Sequence, residues 1–150
     1  MFKFITNRLL KAISKRTITE VIDYPDHGKR SESKEFRQSK EQLKDDGLYK
    51  CFICGALEDL QVHHFGCSWA LENNIDFDKL KAFLEMCDIY GYSAKMKNIP
   101  ITTVDDVRNM MVLCQNHHTG KSSGIHSTTF VAWIMQLLEK DGIDSVPQNE

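Results

Sequence analysis

CFICGALEDLQVHH (residues 51–64) and LCQNHHTGKSSGIH (residues 113–126) decide how this chain is read. Each carries a cysteine at or beside its start and runs into a doubled histidine, and together they hold five of the six histidines. Two residues separate Cys51 from Cys54, and two separate Cys114 from His117 about sixty residues further on. Two thiolate and imidazole knuckles of that spacing supply the four ligands of a closed tetrahedral site, the arrangement of structural zinc. A redox Cys-x-x-Cys would open a helix after a βαβ strand, whereas Gly55 and a short strand-like run follow this one. Five cysteines is an odd number, and nothing in the sequence suggests export, so a disulfide framework is not expected. Cys67 and Cys87 stand outside ligand spacing and read as small core hydrophobes.

With His117 given to zinc, His63, His64, His118 and His126 remain. Neighbouring residues on a strand face opposite sides, so His63 and His64 cannot both serve one ion comfortably. An ion bound by His63, His118 and His126 would keep open positions, as a catalytic centre does. His64 beside it is placed to act as general base on a water molecule. A lone histidine is ordinarily a surface or core residue; clustering of this density argues otherwise.

The 150 residues fit one domain, 41% hydrophobic and 27% charged, with a formal net charge of −2. No apolar run nears the roughly 20 residues that span a bilayer, and no membrane partner is expected. The opening MFKFITNRLLKAISKR lacks the uninterrupted apolar core of a secretory signal and reads as a basic amphipathic helix over 3–16. A charged helix follows over 31–45, stopped by Asp46-Gly47. Residues 48–64 read as a knuckle and a short β-hairpin whose second strand is 60–62. Apolar residues at helical spacing predict a helix over 76–90 capped by Asp76, then a loop to Thr103 around Pro100. VDDVRNMMVLC leads through a turn or short helix into the second knuckle. Ser127 or Thr128 can cap a last helix, TFVAWIMQLLEK, stopped by Gly142. The chain thus divides into a basic helical arm (1–47), a main domain (48–142) and a disordered tail (143–150). Residues 1–44 hold eleven Lys and Arg against six Asp and Glu, while the remainder is acidic. Such an arm suits a phosphate backbone, with Arg30, Lys34, Arg37 and Lys40, and Lys121 beyond it, as candidate contacts. The same charges also suit a solvated helix face.

The order C-x-x-C, VHH, N-x-x-x-x-C-x-x-H-H resembles the HNH endonucleases over about residues 48–140, and most of all the zinc-bearing members carried by bacteriophages. The resemblance implies an α+β fold with a ββα-metal (His-Me finger) core and zinc knuckles. Flanking it are N-terminal charged helices, an inserted helix and a C-terminal helix. It implies His64 as general base, His63 and His118 as ligands of the catalytic ion, and Asn109 as a hydrogen-bonding residue that spans the hairpin loop and orients the base. Two departures stand out. The second knuckle ends in His117 where many relatives have cysteine. The last ligand, which many place four residues after the histidine that here is His118, would fall on Ser122; a glycine-containing loop delivers His126 instead. The implied activity is hydrolysis of DNA phosphodiesters to 3′-hydroxyl and 5′-phosphate ends, one strand per active site. Besides the structural zinc, the cofactor is a divalent cation: three imidazoles favour Mn²⁺, Ni²⁺ or Zn²⁺, and Mg²⁺ is the abundant alternative. The expected setting is the cytoplasm of a bacterial host. DNA is the expected partner, with phage packaging proteins or a second copy of the chain as further ones. The alternatives are a nuclease directed at RNA and a non-catalytic, zinc-stapled module that binds DNA or protein.

Overall fold

Two five-residue strands organise the computed structural model, which describes residues 15–143. β1 (Leu60–His64) and β2 (Met110–Cys114) run antiparallel, with Leu60 opposite Cys114 and His64 opposite Met110. The protein is therefore a mixed α and β chain around a small two-stranded sheet. The expected hairpin within 48–64 is not formed, because 51–56 is a tight turn and not a strand. The Gly55 amide donates to the Cys51 carbonyl and the Cys51 amide to the Ala56 carbonyl, both at 2.8 Å. The Phe52 amide donates instead to the Val112 carbonyl, docking the knuckle on β2. β1 finds its partner across the inserted segment.

β2 is buried along its whole length, and its alternation splits the core. Met111 and Leu113 pack with Cys51, Ile53 and Trp133 on one face. Met110 and Val112 pack with Leu43, Tyr92 and Val107 on the other. Leu80, Leu84, Ile101, Val104 and Cys67 make a third cluster under the inserted segment. Cys67 is thus the small buried hydrophobe expected of it, and Cys87 is half-buried.

Among the described residues, five α-helices surround the strands. α1 (Lys34–Asp45) starts where Ser33 Oγ accepts from the Phe36 amide at 2.9 Å, and it buries Ser39 and Leu43. α2 (Phe77–Met86) has the expected Asp76 cap but ends four residues before the expected 90. α3 (Tyr92–Lys95) occupies part of the segment read as loop; its N-cap, Gly91, sits at φ 79°, in the left-handed region. α4 (Gln115–Thr119) follows β2 directly. α5 (Phe130–Leu138) is capped by Thr129 rather than Ser127 or Thr128, and ends at Leu138, short of Gly142. The expected helix at 3–16 falls almost wholly on residues 1–14, which lie outside the described residues, as do residues 144–150 of the expected tail. No helix among the described residues is long and apolar enough to cross a membrane.

Two buried polar side chains hold the irregular segments. Arg108, 5% exposed, pairs with Asp106 at 2.7 Å and donates to the carbonyls of Met96, Ile99 and Pro100. Asn109, fully buried, uses all of its hydrogen-bonding capacity. Its Oδ1 accepts from the amides of Gly66 (2.7 Å) and Cys67 (3.2 Å), and its Nδ2 donates to the carbonyls of Cys67 (2.9 Å) and Val104 (2.7 Å). The turn leaving β1 is thereby fastened to the segment entering β2. Gly66 is the residue that fits there, since a Cβ would lie 3.1 Å from Asn109 Oδ1 and 3.0 Å from Leu80. Asn109→Ala strands several of these buried groups and should cost about 2–4 kcal/mol of stability, read as a shifted denaturant midpoint. A midpoint within experimental error of wild type would show that the bonds are not what fastens the turn.

Candidate metal centre and active site

Turn 51–56, the end of β2 and α4 bring four donors together. The ligand atoms of Cys51, Cys54, Cys114 and His117 all lie within 4.8 Å of one another. Cys54 and Cys114 sulfurs are 3.9 Å apart; His117 Nδ1 is 3.7 Å from Cys51 Sγ and 3.2 Å from Cys114 Sγ. A tetrahedral ion with ordinary metal–sulfur and metal–nitrogen bonds has edges of about 3.4–3.8 Å, close to these three distances. The Trp133 indole donates to the His117 carbonyl at 2.9 Å and fixes the start of α4. Burial opposes ionisation of Cys51, but hydrogen bonds from His117 and nearby backbone amides outweigh it and bring the thiol down to about 6. Burial, with the neighbouring sulfurs, pushes Cys54 up to about 11. Such a cluster resists a second thiolate unless a cation offsets the charge, which is the chemistry of a metal site.

The second cluster lies at the other end of β1. His63, His118 and His126 also place their ligand atoms within 4.8 Å of one another, with His118 Nε2 3.1 Å from His126 Nε2. His118 sits on α4, one residue past the first cluster. His126 arrives by a loop that folds back onto α4: the Ile125 amide donates to the His117 carbonyl at 2.9 Å. This return depends on two glycines. A Cβ at Gly120 would lie 2.2 Å from the Asn116 carbonyl oxygen, and one at Gly124 2.6 Å from the Gly120 nitrogen. The eight-residue gap therefore closes in space. Gln61 Oε1 accepts a hydrogen bond from His118 Nδ1, which leaves the Nε2 lone pair for the cluster. His63 Nδ1 is the one buried side-chain nitrogen or oxygen among the described residues without a hydrogen-bond partner. Burial, then the nearby His126, His118 and His64, pushes His63 down to about 3. Burial, His126 and Arg30 lower His118 as well. Neutral imidazoles and an orphaned nitrogen fit a cation held there.

His64 points away from this trio. Its Nε2 hydrogen-bonds Asp105 Oδ1 at 2.8 Å, and its ring packs near Phe36. Among the described residues its Nδ1 makes no hydrogen bond, and His64 borders two adjoining cavities. One, of about 160 Å³, is lined by the three histidines, Arg30 and Trp69. The other, of about 320 Å³, reaches Ser33, Phe36 and Asp105 and shares Arg30, His64 and Trp69. Burial raises Asp105, but hydrogen bonds from His64 and Ser33 and the charges of His64 and Arg30 outweigh it and hold the carboxyl below its ordinary value.

The expected site residues thus gather at two places, and Asn109 anchors the turn between β1 and the inserted segment. Of the basic candidates, Arg30 lines both cavities; Lys34, Arg37, Lys40 and Lys121 line neither. Asp105 and Gln61 were not legible from spacing. Asp105 is 41 residues from His64, and its neighbour Asp106 accepts from the Arg108 amide as the cap of a single helical turn. No protein-family model, curated protein or solved structure matches the chain.

Purified protein should retain about one tightly held divalent ion per chain after mild chelation, and Cys54→Ser should lose it and melt at a lower temperature. A fully folded, metal-free protein with a Cys51–Cys54 disulfide would contradict this site.

Proposed function

We propose that the protein is a metal-dependent endonuclease of the HNH type, hydrolysing DNA phosphodiesters with one strand cut per active site. The observation that carries this reading is the divergence of the last two residues of β1 at the rim of one cavity. His63 joins His118 and His126, while His64 turns to the other side with a free ring nitrogen. An antiparallel pair followed at once by α4 is also what a ββα-metal core requires. The sulfur-rich cluster is assigned to zinc, whose preference for tetrahedral thiolate and imidazole ligands matches its donors.

His63, His118 and His126 would hold a divalent ion, which would supply positive charge to offset the negative charge that develops on the phosphate and the leaving oxygen. His64 takes a proton from water through Nδ1. The water oxygen bonds to phosphorus, and the bond from phosphorus to the 3′ oxygen breaks with its electron pair going to that oxygen. Protonation from solvent then leaves a 3′-hydroxyl and a 5′-phosphate. Arg30, at the rim of both cavities, is placed to pair with a phosphate of the bound strand.

Supercoiled plasmid incubated with a panel of divalent ions is the direct test, and nicked circles are the expected product. His64→Ala should keep metal and DNA binding while cutting falls by roughly 10²–10⁴, the usual worth of a general base. His118→Ala should lose the catalytic ion, and high Mn²⁺ should partly restore that variant but not His64→Ala. Near-wild-type nicking by His64→Ala would remove the base assignment; DNA binding with no nicking under any ion would favour a zinc-stapled binding module.

Arg30→Gln should weaken DNA binding and make the salt dependence of binding shallower by about one phosphate contact, with cutting at saturating DNA changed little. An unchanged slope would leave Arg30 as a solvated charge.

A further inference from the structure

Asp105 is held at every polar atom it has. Its Oδ1 faces His64 Nε2 at 2.8 Å, and its Oδ2 accepts from Ser33 Oγ at 2.6 Å. Its carbonyl accepts from Ser39 Oγ at 2.6 Å, and its amide donates to Thr103 Oγ1 at 3.2 Å. Ser33 and Ser39 come from the start and the inner face of α1, so the carboxylate is locked between two separate parts of the chain. Asp105 is 9% exposed and His64 8%, so water competes little for the contact between them. A carboxylate only accepts, so the atom facing it must carry the imidazole proton.

We propose that Asp105 is the positioning residue of His64: it holds the ring with Nε2 protonated and Nδ1 bare, and α1 holds Asp105 in turn through Ser33 and Ser39. This rests on His64 being the general base. A base must present a lone pair, and a neutral imidazole has one nitrogen of each kind. Without the carboxylate, either nitrogen can hold the proton and the ring can rotate. With it, the basic nitrogen is Nδ1, which has no hydrogen-bond partner among the described residues, on a side chain that borders both cavities. When Nδ1 takes the water proton the ring becomes a cation, and the adjacent carboxylate stabilises that charge. Asp105 touches neither substrate nor ion in this scheme and acts only through His64. Its place 41 residues from His64 explains why the pair leaves no local spacing motif.

The test is Asp105→Asn, measured three ways on the full chain. Nitrogen chemical shifts of labelled histidine should place the wild-type His64 proton on Nε2. In the variant the carboxamide can turn its NH₂ to that nitrogen and drive the proton to Nδ1. On saturating plasmid, kcat should fall by roughly 10²–10⁴ with KM and metal content little changed. In a His64→Ala background the same substitution should cost nothing further, because its only route to the chemistry is gone. Equal loss in both backgrounds would make Asp105 a structural strut and overturn the proposal. So would a wild-type His64 found with its proton on Nδ1. Ser33→Ala is the gentler variant if Asp105→Asn fails to fold: it should lower kcat several-fold in wild type and not at all with His64→Ala. If His64→Ala itself nicks normally, the base reading fails and this role with it. If His64 is essential and Asp105→Asn is fully active, only the positioning role fails.

Discussion

The register of β1 against β2 is the constraint on which the rest depends. His64 opposite Met110 and Leu60 opposite Cys114 fix both ends of a five-residue ladder. At one end this sets Cys114 beside the turn that holds Cys51 and Cys54. At the other it sets His63 toward α4 and His64 toward Asp105. A slip of one residue would exchange the faces of every side chain on β1 and send His64 to the trio in place of His63. Something must therefore pin the register, and two five-residue strands do not do so alone. Burial of all of β2 contributes, because Met111 and Leu113 cannot trade faces with Met110 and Val112 without remaking two core clusters. The Asn109 bonds contribute at the His64 end, and the Cys51–His117 cluster at the other.

The same arrangement makes the sulfur-rich cluster and the histidine trio neighbours in chain and in space. His117 and His118 are consecutive on α4, a helix of five residues that is too short to be rigid through its own hydrogen bonds. Its orientation comes from the cysteine cluster at its start and from Trp133, which holds the His117 carbonyl and fills the core beneath. His118 thus inherits its position from groups that have no part in its own chemistry. The loop returning from α4 adds His126, and its backbone contacts are so close that Gly120 and Gly124 have no room for a side chain. An eight-residue separation can serve one centre only because this loop is folded tightly.

Much of this was legible in the sequence, for a definite reason. The cysteine and histidine spacings are local, and metal chemistry restricts which local spacings close. Cys51, Cys54, Cys114 and His117 gather as their two gaps imply; His63, His118 and His126 gather too, through strand pairing and the glycine loop rather than through local spacing. The Asp76 cap was readable because a capping side chain bonds two residues onward. What was misread depends on distance along the chain. Local pattern could not name the partner of β1, so a near neighbour was expected where the true one begins at Met110. Of the cap residues side by side, Thr129 accepts from the Ala132 amide, whereas Thr128 Oγ1 donates to the Gly124 carbonyl, a partner that local pattern does not reveal. Arg108 carries a charge that composition assigns to the surface, yet four partners hold it inside.

Charge asymmetry along the chain takes on a different meaning once α1 is in place. The first 44 residues carry an excess of positive charge, and the simplest expectation is a diffuse electrostatic arm. α1 is instead a packed element: Leu43 is fully buried, Ser39 and Ser33 hold Asp105, and Phe36 lies against His64. Its outward charges, including Lys34 and Arg37, remain in solvent, where salt screens them. Arg30 alone among the basic candidates reaches the cavities, and its charge already acts on Asp105 and His118. A charge at the mouth of a partly enclosed cavity acts through lower dielectric than one on an open helix face, so position outweighs number here. The net charge of the segment is therefore a poor guide to what it does at the site; the geometry of Arg30, Ser33 and Ser39 is the better one.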